Sequence, residues 1–138
     1  MSFALDPRLA ADTCVIGDLP LSRALLMNDA RFPWVILVPR RAGLIEILDL
    51  DAAERAQLME EVAATARILR EWPEVEKINF GALGNIVSQL HAHVVGRRIG
   101  DRAWPAPVWG SGIAVRYEAP ALRARLDALR SGFGSMIA

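Results

Sequence analysis

Early in the chain the apolar residues fall in short blocks separated by turn formers, whereas after Asp51 they recur every third or fourth position. "DPRLAADT" (6–13) predicts a short helix, with Asp6 as N-cap and Pro7 at its first position. "CVIG" (14–17), β-branched and closed by glycine, reads as a strand. A second strand over about 22–28 ends in the turn-prone pair Asn28-Asp29. "PWVILVP" (33–39) is continuously apolar between two prolines, which predicts a strand covered on both faces. The period then changes. Asp51, with Glu54 three residues later, has the spacing of a capping box and opens a long helix. Met59, Val62, Ala66, Leu69 and Trp72 form one apolar stripe along it, and Pro73 stops it. "KINFGAL" (77–83) and "QLHAHVVGR" (89–97) predict two more strands, joined by a loop holding Gly84 and Asn85. The stretch 96–112, rich in Gly, Pro and Trp, is loop-like. From Pro120 a last helix carries Leu122, Leu126 and Leu129 on one side, with Gly132 as its stop. The sum is one α+β domain over 1–138, with a largely antiparallel sheet of about five strands, one long helix and one C-terminal helix.

Composition narrows the function classes. Lys plus Arg and Asp plus Glu both number 16, so no global field draws the chain to nucleic acid. No run approaches the roughly 20 apolar residues of a membrane span, and "MSFALDPRLAADT" lacks the pattern of a signal peptide. The single cysteine, Cys14, excludes an internal disulfide, fits a reducing cytoplasm, and beside Val15 and Ile16 is expected to be a small core residue.

Both histidines of the chain, His91 and His93, lie in "SQLHAHVV" (88–95). On a strand, residues two apart share a face, so the two rings stand side by side with Gln89 as a third polar member of the row. Leu90, Ala92 and Val94 then point into the core. Three readings of the pair compete. It is a solvent-facing pair, or two ligands of a metal, or a catalytic histidine with a helper. A metal site needs a third ligand that is not histidine; Cys14 is distant in sequence, and no spacing designates a carboxylate such as Asp29. Catalysis suits phosphoryl or nucleotidyl transfer: one neutral imidazole attacks phosphorus, while the other binds a phosphate oxygen or helps protonate the leaving group near the reference pKa of about 6.5.

"QLHAHVVGR" resembles the signature of the histidine triad family, His-φ-His-φ-His-φ-φ with φ apolar. Four further segments resemble the family in the right order: "LLMND" (25–29), "WVILVPRR" (34–41), "NFGALGN" (79–85, with a one-residue difference in spacing) and "WPAPVWG" (104–110). The resemblance implies a small α+β nucleotide-binding protein, usually a homodimer, that acts at the α-phosphate of a purine nucleotide or nucleotide conjugate through a covalent nucleotidyl-histidine. It needs no metal or other cofactor. Carried over residue by residue, it makes His91 the nucleophile, its other ring nitrogen held by a backbone carbonyl, and His93 the partner at the phosphate. Asn79, Gly84, Asn85 and Gln89 become supports around the phosphate, Asn28 (less so Asp29) the ribose contact, and Trp104 and Trp109 pocket or dimer contacts. The departures are Gln89 at the first triad position, Ala42 after "VPRR" where many members have histidine, and Ile86 where the phosphoramidase branch often has serine. They motivate a second expectation, a nucleotide-binding regulatory protein with little turnover.

Overall fold

A computed structural model describes residues 2–138. Helix α1 (Pro7–Asp12) is followed by strands β1 (Thr13–Asp18), β2 (Ser22–Met27) and β3 (Trp34–Pro39), then by the long helix α2 (Ala52–Arg70). Strands β4 (Lys77–Gly81) and β5 (Ala92–Arg97) complete the sheet, and helix α3 (Ala119–Phe133) lies near the C-terminus. The five strands are ordered β1-β2-β3-β5-β4, every neighbouring pair antiparallel. This is the expected α+β architecture.

Period-two alternation divides the sheet into two covered faces. Ala24, Leu26, Val35, Leu37, Ala92 and Val94 pack with buried residues of α2 and α3, such as Leu69, Leu129 and Phe133. The opposite face carries Leu25, Trp34, Ile36, Val38 and Val95, covered by Leu9 of α1, by Val87 and by Val108 and Trp109 of the tail. All six residues of β3 are buried, as its unbroken apolar run predicts. Burying one such side chain is worth about 1.5–3 kcal/mol, so β3 anchors both layers.

The long helix begins as its sequence dictates, with Asp51 and Glu54 forming both hydrogen bonds of the capping box. Its buried face differs from the apolar stripe. Met59 is 48% exposed, whereas Glu61 and Thr65 are fully buried beside Leu58, Val62 and Leu69. Trp72 lies beyond the helix end at Arg70. Glu61 is inside because its carboxylate accepts hydrogen bonds from the backbone N–H groups of Leu21 (2.7 Å) and Ser22 (3.0 Å), which a hydrophobicity pattern does not register. Gly132 is not the stop of α3. It lies within the helix where a Cβ would come 2.8 Å from Ile68 Cγ2, and the cap is Gly134 at φ +55°. Cys14 is only half-buried on β1, an outer strand of the sheet. None of the described helices is long and apolar enough to cross a membrane.

Candidate active site

Strand β5 begins at Ala92, later than its sequence predicts, so Gln89 and His91 precede it. Two contacts hold that lead-in away from the ladder: Leu90 N–H donates to Leu44 O, and the Gln89 side chain reaches the N-terminal arm. Gln89 Oε1 accepts from Asp6 N–H and its Nε2 donates to Ala4 O, both at 2.8 Å. Gln89 is therefore not a third side chain in the histidine row. His91 and His93 still meet, their ring centroids 4.8 Å apart, and each is 6% exposed. Leu90, Ala92 and Val94 point into the opposite core.

The two imidazoles are held in opposite protonation patterns. His91 Nδ1 lies 2.6 Å from the backbone carbonyl oxygen of Gln89. A carbonyl only accepts, so Nδ1 carries the proton, and in the neutral ring Nε2 presents the lone pair. His93 Nδ1 instead accepts a buried hydrogen bond from Trp34 Nε1 at 3.0 Å. An indole N–H only donates, so His93 carries its proton on Nε2. Register explains the contact: His93 pairs with Ile36 and Val95 with Trp34, making Trp34 and His93 diagonal neighbours on one face. Burial, and then the neighbouring His91, push the His93 imidazole down to about 3. It is neutral at pH 7, not a half-protonated acid poised near 6.5.

Both rings line a cavity of about 400 Å³. Its wall includes Gly84, at φ +74°, and Asn85 of the loop before β5, with Leu9, Val108 and Trp109 over the apolar side. Trp109 meets His93 edge to face at 5.2 Å. Ile86 stands at the rim, 80% exposed. Asp29 and Arg31 also line the cavity and form an ion pair of 2.8 Å, their side chains 2% and 8% exposed. Burial raises the Asp29 carboxyl, but hydrogen bonds from Arg31 and Val115 outweigh it and hold the group below its usual range.

Besides Gln89, three expected site residues lie elsewhere. Asn28 turns to the tail, where its Oδ1 accepts from Tyr117 N–H at 2.9 Å, and Asp29 takes its place in the wall. Asn79 Oδ1 accepts from Arg97 at 2.8 Å and is outside the cavity lining. Trp104 is outside it too, with the Arg97 guanidinium 5.5 Å from its ring. Arg97 is buried on Asp101 at 2.7 Å and donates to Ala106 O, which ties the tail to β5. Trp34 and Arg31 are site residues that sequence reasoning misses. A buried indole needs an acceptor, and that rule flags Trp34 once it is placed on the inward row of β3. Among the described residues, no three His, Cys, Asp or Glu side chains gather as a metal-holding group.

Residues 8–100 match the family model of the HIT domain. Among solved structures, a histidine triad protein of Bradyrhizobium japonicum is 46% identical with a TM-score of 0.94, over 97% of this chain and 100% of its own. One from Sinorhizobium meliloti is 45% identical with a TM-score of 0.91, over 94% of this chain and 96% of its own. A third, from Marinobacter aquaeolei, is 39% identical with a TM-score of 0.87, over 99% and 97%. No curated protein matches the chain. With a triad-type segment leading into β5 and these likenesses across nearly its whole length, the chain belongs to the histidine triad family of nucleotide-binding hydrolases and transferases.

Proposed function

We propose that the protein is a cytoplasmic nucleotide hydrolase or nucleotidyl transferase acting at the α-phosphate of a nucleoside phosphoramidate or dinucleoside polyphosphate through a covalent nucleotidyl-His91. The observation that carries the reading is the complementary pair of imidazoles. The Gln89 carbonyl leaves His91 with a free Nε2 lone pair, and 4.8 Å away Trp34 leaves His93 with an Nε2–H donor. One nitrogen attacks phosphorus while the other stabilises the charge developing on a phosphate oxygen. Gly84 and Asn85 supply backbone beside the rings, and the apolar wall of Leu9, Val108 and Trp109 suits a base. Intact-protein mass spectrometry after mixing with adenosine 5′-phosphoramidate and with a dinucleoside polyphosphate tests it, with AMP measured alongside. A nucleotidyl adduct or AMP release that vanishes in His91→Ala is expected; turnover unchanged in that variant refutes the reading.

Gln89 and Ile86 favour a second reading, a nucleotide-binding regulatory protein. One side chain is spent on the N-terminal arm, and the other puts an aliphatic group at the cavity mouth. Nucleotide binding with neither adduct nor AMP supports that alternative. A homodimer is part of the proposal. Its support is the outer strand β4 together with the exposed apolar side chains Ile45, Ile47, Met59 and Phe80, more than the tryptophans of the tail. A light-scattering mass equal to the 15.1 kDa protomer refutes it.

A further inference from the structure

We propose that Trp34 is a positioning residue that holds His93 as a neutral Nε2–H donor, so that the site works on nucleotides whose leaving group departs as a stable anion without taking a proton from the protein. The inference rests on the nucleotidyl-transfer reading and narrows its substrate class to leaving carboxylates, phosphates or acidic phenolates, in place of amines or alkoxides.

The Trp34–His93 contact is 3.0 Å long and buried, so water does not compete for either nitrogen. An imidazolium at His93 would set a second N–H against the indole N–H, two donors facing each other. Nothing packed on the ring offsets that conflict. Trp34 of β3 and Trp109 of the tail contribute uncharged aromatic rings, and His91 contributes an N–H already committed to the Gln89 carbonyl. The other titratable side chains lining the cavity, among the described residues, are Asp12 of α1 and the pair Asp29 and Arg31 between β2 and β3. The pair is closed on itself at 2.8 Å. The rim adds Leu83 and Ile86, which have no proton to give.

The step balances in atoms and electrons. The His91 Nε2 lone pair forms the bond to the α-phosphorus as the bond from phosphorus to the leaving oxygen breaks. The electron pair of that broken bond goes with the oxygen. His93 donates a hydrogen bond to a non-bridging oxygen and keeps its proton. Water next attacks phosphorus and releases one proton to solvent, and the N–P bonding pair returns to Nε2. Because no acid assists departure, the rate follows the stability of the departing anion; an effective general acid is worth about 10²–10⁴-fold to a poor leaving group.

Two measurements decide the proposal. With aryl esters of adenosine 5′-monophosphate, kcat/KM is expected to fall at least about 100-fold from the nitrophenyl to the phenyl ester, the size of one missing general acid. Adenosine 5′-phosphoramidate should be cleaved more slowly than the nitrophenyl ester. A rate indifferent to leaving-group acidity overturns the substrate class. Imidazole ¹⁵N spectra of labelled protein should show His93 Nδ1 as a lone-pair nitrogen from pH 8 down to pH 5. In Trp34→Phe, which keeps an aromatic ring but removes the N–H, His93 should titrate nearer neutrality, with a matching new ionisation in the pH profile of kcat. Titration of His93 near neutrality in the wild type overturns the role of Trp34, and that spectrum decides even where the variant fails to fold. No adduct and no turnover with any ester would refute nucleotidyl transfer itself, and with it the substrate class, while the ¹⁵N signals still judge Trp34.

Discussion

Replacing Arg31 with methionine removes one partner of a buried ion pair and leaves the other in place. Asp29 has a side chain only 2% exposed, and Arg31 contacts both its oxygens, at 3.0 Å and 2.8 Å. Orphaning a buried charge costs about 3–5 kcal/mol. Asp29 keeps hydrogen bonds from the backbone N–H groups of Arg31 and Val115, so the lower end, about 3 kcal/mol, is expected. With a urea m value of about 1–3 kcal/mol/M, the midpoint should fall by at least about 1 M. The double variant Asp29→Asn/Arg31→Met removes the orphan charge, while the amide oxygen that replaces the carboxylate still accepts from both N–H groups. It loses chiefly the Arg31 hydrogen bond to Ser111 O, about 1–2 kcal/mol. The double variant should therefore be more stable than the single one. The pH dependence has a sign as well. In the wild type the Asp29 carboxyl lies below its usual range, so the pair's contribution is present at neutral pH and lost only in acid, as pH falls through that lowered value. In Arg31→Met burial prevails and raises the group, so the folded protein takes up a proton before the unfolded chain does. The gap between wild type and variant should then narrow from pH 7.5 to pH 5. Equal or greater destabilisation in the double variant, or a gap independent of pH, would refute the reasoning.

Two more outcomes follow from the same contacts. The His93 imidazole, at about 3 in the folded state and about 6.5 unfolded, should make unfolding free energy fall by about 1.4 kcal/mol per pH unit below pH 6.5; a flat urea midpoint between pH 6.5 and 4.5, or the same slope in His93→Asn, contradicts it. Gln89→Ala cuts the side-chain tie to Ala4 and Asp6 but keeps the carbonyl that holds His91, so hydrogen exchange at Asp6 should quicken while kcat stays within a few-fold. A kcat loss of 100-fold or more would instead make Gln89 part of the chemistry.

The sheet was legible in the sequence because its signals are local. The apolar run of β3, the capping box at Asp51 and the Asn28-Asp29 turn each need only neighbouring residues to be read. What was misread depends on partners far along the chain. The apolar stripe of α2 leaves out Glu61, which is buried only because Leu21 and Ser22 bring their N–H groups to it. Gln89 reads as a member of the histidine row until the N-terminal arm takes its amide. Asn28 and Asn79 read as ligand contacts, but Tyr117 and Arg97 claim them. Trp34 lies 59 positions from His93, and only the register of β3 with β5 brings the two together. Residue types and their order fixed the histidine pair; its protonation pattern required the hydrogen bonds.

The tail beyond β5 supplies one part of the cavity wall. The HIT domain match ends at residue 100, yet Val108, Trp109, Gly110, Gly112 and Ala114 stand in the cavity wall. That strip is tied to the β2–β3 turn by contacts from Asn28, Asp29, Ala30 and Arg31 to Ser111, Val115 and Tyr117, none of which involves β5. His93 lies on β5 and His91 just before it, while part of the wall facing them belongs to the strip. Residues 108–117 thus shape the cavity from outside the sheet: exchanging this stretch for that of a relative is expected to change which ligands fit and, because Trp109 packs on His93, to disturb that ring as well.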